Sequence, residues 1–145
     1  MFSILPATAT DDPAIRELVR IGRINPTGLD WRRFVVAVDS SGKAIGCGQV
    51  KPHRDGSHEL ASIVVHPDWR GKGVARAIIQ DLLETHPGEM HLMCRAELGP
   101  FYEKFGFRAL SAAETPPYFR RISRLAGLLH ALQREGTRLL VMQWD

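Results

Sequence analysis

The sequence predicts a mixed α/β fold in a single domain over residues 1–145, with a mixed, partly parallel central sheet and helices on both faces. Three observations carry that reading. Residues 59–65 are a β-branched, apolar run ending at His66-Pro67, a buried strand that the proline stops. From there Val74, Ile78 and Leu82, with Ala75, Ile79 and Leu83 beside them, repeat at helical spacing and predict a helix over 74–84. A second apolar strand, 90–94, follows the Pro87-Gly88 break, and a strand, a crossover helix and a strand imply parallel pairing.

The apolar run starting at Phe2 ends at Pro6 and gives a first strand. Asp11-Asp12-Pro13 puts carboxylates and a proline where a helix begins, with Ile15, Leu18 and Val19 on one face and a stop near Gly22. Residues 25–31, Asn-Pro-Thr-Gly-Leu-Asp-Trp, are dense in turn formers and read as a packed lid or as a recognition loop. Strands at 34–38 and 44–50 flank a hairpin loop, and Gly46 and Gly48 mark a bulge or a close backbone approach. A turn over 52–56 leads into the central strand. Residues 100–105 form a short helix stopped by Gly106, and 107–110 a strand. Pro116-Pro117 opens a helix in which Ile122, Leu125, Ala126, Leu129 and Leu132 share an apolar face, opposite Arg120, Arg121, Arg124 and Arg134. Residues 139–142 give the last strand.

Bulk properties exclude several classes. With 44% hydrophobic and 24% charged residues the chain is neither disordered nor fibrous. Cys47 and Cys94 lack redox or metal spacing and read as reduced core residues, and the six histidines never stand at ligand spacing, so no metal is assigned. No apolar run reaches membrane-span length and the first residues lack a secretory pattern, so no membrane contact and a cytoplasmic location are expected. The net charge of +3 concentrates at 70–76 and 120–124. A polyanionic ligand explains the first cluster as well as nucleic acid would. Without aromatic-interleaved basic surface or a helix-turn-helix pattern, nucleic acid is not expected, and the chain is expected as a monomer or homodimer.

The chemistry centres on Arg70-Gly71-Lys72-Gly73-Val74-Ala75, between the central strand and its helix. Two glycines let the backbone turn tightly with amides facing outward, and the helix dipole with Arg70, Lys72 and Arg76 favours a phosphate or pyrophosphate. On spacing alone the stretch is equally an ordinary connection with a solvated charged face. It fits neither G-x-x-x-x-G-K-S/T nor a G-x-G-x-x-G directly after the strand.

The segment does resemble the acyl-CoA-binding motif of the GNAT N-acetyltransferase superfamily, Gln/Arg-x-x-Gly-x-Gly/Ala, here Arg70-x-x-Gly73-x-Ala75. Downstream, Gly99-Pro100-Phe101-Tyr102-Glu103-Lys104-Phe105-Gly106-Phe107 is similar to the family's second signature, a tyrosine on a short helix before Gly-Phe. The resemblance implies a GNAT-like fold and an acetyl-CoA-dependent N-acetyltransferase acting on a primary amine by direct attack in a ternary complex; a non-catalytic acyl-CoA-sensing module is the alternative. It places the pyrophosphate on Arg70, Gly71, Lys72, Gly73, Val74, Ala75 and Arg76. Pantetheine then runs beside Ile63, Val64 and Val65 like an added strand.

The same resemblance makes Tyr102 the proton donor to the CoA sulfur, where the residue by itself reads as a core aromatic. Glu59, eleven positions before Arg70, falls where the histone acetyltransferase branch carries its strand glutamate, and is the candidate base. His58 and a water chain are its rivals. Arg95 stands seven residues before Tyr102, where many relatives have an asparagine, and Cys94 reads as inert core. A protein amino terminus, a lysine, a polyamine and a small metabolite all remain open as acceptor; its pocket is expected from 25–31, 51–57 and 112–118.

Overall fold

The computed structural model describes residues 1–133 and 138–145, with the side chains of 128–133 outside that description. Among the described residues seven strands and four α-helices make the mixed α/β class that the sequence predicts. They fall into two compact units, one of Met1–Lys51 with Leu60–Pro87 and one of Pro52–Glu59 with Gly88–Asp145.

The first unit contains β1 (Phe2–Pro6), α1 (Asp12–Gly22), β2 (Phe34–Asp39), β3 (Ala44–Pro52), the greater part of β4 (His58–Val65) and α2 (Val74–Thr85). Its strands lie in the order β1-β2-β3-β4, with β1/β2 and β2/β3 antiparallel. On one face α1 buries Ile15, Leu18 and Val19 with Phe34, Val36, Cys47 and Val64. Each such side chain contributes roughly 1.5–3 kcal/mol by leaving water. On the other face α2 brings Ile78 and Leu82 down onto Gly48. Both expectations for the β3 glycines hold: the register passes from Ala37↔Gly46 to Val38↔Ala44, a bulge at Ile45, and the helix approaches closely.

A Cβ on Gly48 would sit 2.6 Å from Ile63 Cδ1 and 2.7 Å from Ile78 Cγ2. The second atom belongs to a β-branched side chain with no exposed surface, so it cannot swing away. Gly48→Ala is therefore expected to cost about 1–3 kcal/mol. Thermal denaturation checks this, and an unchanged midpoint would mean that α2 is not seated on this strand.

The second unit holds the first residues of β4 with β5 (Met90–Arg95), α3 (Gly99–Glu103), β6 (Arg108–Ala109), α4 (Pro117–Gln133) and β7 (Leu139–Trp144), ordered β4-β5-β7-β6. The expected parallel pairing of β4 with β5 occurs at Glu59↔His91, and β5 runs antiparallel to β7 from Met90↔Trp144 to Arg95↔Leu139. The strand expected over 107–110 shrinks to Arg108 and Ala109.

Helix α4 corrects one expectation. Leu125 is 53% exposed, and the buried anchor is Phe119, at 0%. At 100° per residue Leu125 lies about 120° round the helix from Phe119, whereas Ile122 and Ala126, both half-buried, stay nearer the packed side. The side chains of Leu129 and Leu132, and the whole of Arg134, fall outside what the structure describes. Arg120, Arg121 and Arg124 are exposed. Among the described residues no helix is long and apolar enough to cross a membrane.

Candidate active site

Strand β4 lies next to β3 on one side, and its register with β5 on the other is Glu59↔His91, so among the described residues those of β4 beyond Glu59 have no ladder partner on the side away from β3. Ser62 interrupts it at φ 58°, a left-handed conformation uncommon for a residue with a side chain. Beyond it Val64 enters the core under α1, while Ile63 reaches toward Gly48 beneath α2. The strand closes where the His66 N–H donates to the Ile45 carbonyl at 2.8 Å. With His66 bonded to β3, strand alternation turns Val64 toward β3 as well and leaves Ile63 and Val65 to offer backbone groups on the side away from it, suited to an extended, amide-bearing chain.

The chain then turns through Gly71 at φ 75° and Gly73 at φ 82° into α2. Gly73 is the N-cap with no side chain to cap it, and the Ala77 N–H is the donor to its carbonyl, at 3.1 Å. The amides of Val74, Ala75 and Arg76 precede that first helical bond and have no acceptor inside the helix. A Cβ on either glycine would meet nothing within 4 Å, so the turn faces open space. Arg70, Lys72 and Arg76 are exposed, and among the described residues none joins an ion pair. Lys72 Nζ lies 5.1 Å over the Trp69 ring, a cation–π contact that gives this cation a fixed station. Outward amides, a positive helix end and three cations outside any ion pair among the described residues together fit a pyrophosphate.

Tyr102 sits on α3, edge-on to Phe101 at 5.1 Å and to Phe107 at 6.0 Å. Its carbonyl accepts from the Phe105 and Phe107 amides across Gly106, whose φ of 103° ends the helix. Burial, aided by the Cys94 thiol, pushes its phenol up to about 12. Burial also raises Tyr118, with Glu59 adding to the effect. Such a phenol keeps its proton at neutral pH. Between pH about 10 and about 12 the native phenol of Tyr102 stays protonated while the unfolded one ionises, so stability falls as pH rises through that window.

The chain has two tyrosines, and both are raised. Near-ultraviolet absorbance of the native protein is accordingly expected to show less phenolate than the denatured chain at pH about 10, where the denatured chain is half titrated. A native midpoint at the denatured value would contradict the burial of both rings. Burial likewise holds Cys94 up to about 11 and Cys47 up to about 12, so both thiols stay neutral and poorly nucleophilic.

Glu59 is not alone on its strand. His53 Nε2 lies 2.9 Å from Glu59 Oε1, with the two side chains only 11% and 14% exposed. The His53 ring stacks on Tyr118 at 3.6 Å and 16° and meets Phe119 edge-on at 5.7 Å. The Tyr118 N–H donates to Asp55 at 3.0 Å, and Asp55, held at about 2 first by the Ser57 hydroxyl, is a carboxylate at any working pH. His91, paired in register with Glu59, stacks on Phe119 at 5.4 Å. Burial lowers its pKa, and among the described residues its Nδ1 has no partner. The rival base His58 is exposed, as is Arg95. Tyr102 and Glu59 share no hydrogen bond; each is set by its own neighbours.

The segments expected to shape an acceptor pocket make definite contacts. Lys51 Nζ donates to the Thr27 carbonyl at 3.3 Å, and the fully buried Gln49 donates to the Gly28 carbonyl at 3.2 Å and to Ser62 Oγ at 2.8 Å. Leu29 and Trp31 pack on the α1 core, so the 25–31 stretch is a packed lid. In the second unit His53 and Asp55 reach Tyr118 as above.

The family profile described as Acetyltransferase (GNAT) domain matches residues 30–109. The chain belongs to the GNAT acetyltransferase family. Solved GNAT structures share its fold at low identity. N-acetylglutamate synthase from Neisseria gonorrhoeae, complexed with coenzyme A and N-acetyl-glutamate, is 19% identical over 100% of this chain, with a TM-score of 0.75. This chain spans 35% of that synthase. A Mycobacterium tuberculosis protein in complex with CoA and NLQ is 21% identical, covers 98% of each chain and has a TM-score of 0.75. A GNAT-family acetyltransferase from Staphylococcus aureus is 10% identical over 99% of this chain and 98% of its own, with a TM-score of 0.71. No curated protein matches the chain.

Proposed function

We propose that this GNAT protein is an acetyl-CoA-dependent N-acetyltransferase, moving an acetyl group to a primary amine by direct attack in a ternary complex. The observation that carries the proposal is the glycine turn with unbonded amides and three free cations at the start of α2. The gonococcal and mycobacterial relatives were both solved with CoA, which supports the same ligand for this fold. Amides of Gly71, Lys72, Gly73, Val74, Ala75 and Arg76, with the Arg70, Lys72 and Arg76 charges, hold the pyrophosphate. Ile63 and Val65, with Val64 between them, bond the pantetheine amides on the side of β4 away from β3.

Acetyl-CoA supplies the activated acyl group; the residues move two protons. Tyr102 Oη gives one to the departing sulfur, and Glu59 takes one from the attacking amine. N-acetyl-glutamate in the gonococcal synthase makes α-amino acids the first acceptors to try, ahead of lysine peptides and polyamines. Arg95, in place of the asparagine of many relatives, favours the second reading, a module that binds acyl-CoA without turnover. Release of CoA from acetyl-CoA, measured over such an amine panel, separates the two. Thiol released in step with acetylated amine supports the enzyme, and saturable binding with no release supports the sensor.

A further inference from the structure

We infer that His53 is a positioning residue for Glu59, fixing by its Nε2–H the carboxylate that takes the proton of the acceptor amine. The inference rests on the reading of Glu59 as that proton acceptor. A glutamate that is to accept a proton is ionised and has no hydrogen of its own, so the hydrogen in the 2.9 Å contact belongs to His53 Nε2. This bond occupies Oε1 and leaves Oε2 with its lone pairs unspent. In the transfer the amine N–H breaks, its electron pair stays on nitrogen, a new O–H forms at Oε2, and His53 keeps its own proton throughout.

The imidazole is held for this task from several directions. Its backbone closes the turn before β4, the His53 N–H donating to the Ser57 carbonyl at 2.9 Å and its own carbonyl accepting from Gly56 at 3.1 Å. Tyr118 covers one ring face and Phe119 meets the ring edge-on. Tyr118 is in turn fixed by the Asp55 carboxylate at its amide. A nearly buried carboxylate has lost most of its water, so the donor that replaces it decides how the group is oriented. Neither a surface histidine nor one aimed at solvent would have this effect.

Two variants separate positioning from packing. His53→Phe keeps a ring against Tyr118 and removes the donor, and His53→Gln restores an N–H near the position of Nε2. With the best acceptor among L-glutamate, a lysine peptide and spermidine, His53→Phe is expected to lose about ten- to a hundredfold in kcat with KM for acetyl-CoA unchanged. His53→Gln should recover most of that loss. Glu59→Gln is measured alongside. A His53→Phe enzyme at the wild-type rate, with Glu59→Gln impaired, overturns the positioning role alone; Glu59→Gln at the wild-type rate overturns the reading beneath it and this proposal with it. Nitrogen-15 spectra of the imidazole give an answer even if His53→Phe fails to fold or no amine is turned over. The wild-type ring is expected to be fixed as the Nε2–H tautomer and to be released by Glu59→Leu, which has no acceptor for it, and a wild-type ring averaging between tautomers overturns the proposal.

Discussion

Tyr102→Phe is expected to lower kcat by about 10²–10⁴-fold, the usual worth of a general acid. The variant deletes one hydroxyl and keeps the ring that meets Phe101 and Phe107, so the fold should barely notice. Among the described residues that hydroxyl has no hydrogen-bond partner to leave orphaned, which removes the usual cost of such a deletion. The proton matters to the transition state more than to the bound ground state, so acetyl-CoA affinity should stay within a fewfold of wild type. Product release can hide part of the loss in steady state. Single-turnover measurement avoids that, and a Tyr102→Phe rate equal to wild type would remove Tyr102 from the mechanism and leave solvent to protonate the thiolate.

Gly73→Asp is expected to strip acetyl-CoA affinity from a folded protein. The new Cβ meets no atom within 4 Å, and although φ of 82° strains most residues, aspartate tolerates the left-handed region better than most. Its charge at the positive end of α2 is favourable for the helix by itself. The same charge faces the pyrophosphate. Two like charges about 4 Å apart repel by roughly 1 kcal/mol in water and about 4 kcal/mol at the effective dielectric of a protein surface. That corresponds to a loss of about fivefold to nearly a thousandfold in affinity. Unchanged affinity in the folded variant would tell against the turn as the pyrophosphate site.

Local patterns made most of the fold legible before the structure. The β-branched run before Pro67, the Val74-Ile78-Leu82 stripe and the Gly46/Gly48 pair each encode a neighbour within a few residues or one hairpin, and each appears where it was expected. The turn of the candidate site was legible for the same reason, since its glycines and cations are contiguous. Leu125 misled because a helical stripe fixes only which residues share a face, and Phe119, at the edge of the Pro116-Pro117 start, set which face was buried. His53 was passed over inside a turn. Its partners are Glu59, a β-strand residue, and Tyr118, far along the chain, and no periodicity links a turn histidine to the first residues of a remote helix. Ser62 gave no signal either, because a left-handed serine within an apolar run has the same composition as an extended one.

Calorimetric titration of the wild-type chain with acetyl-CoA tests the central claim most directly. The account predicts saturable binding of one acetyl-CoA per chain, lost or strongly weakened in Gly73→Asp and nearly unchanged in Tyr102→Phe. Absence of any binding heat, confirmed by a second equilibrium method at near-millimolar acetyl-CoA, would contradict it.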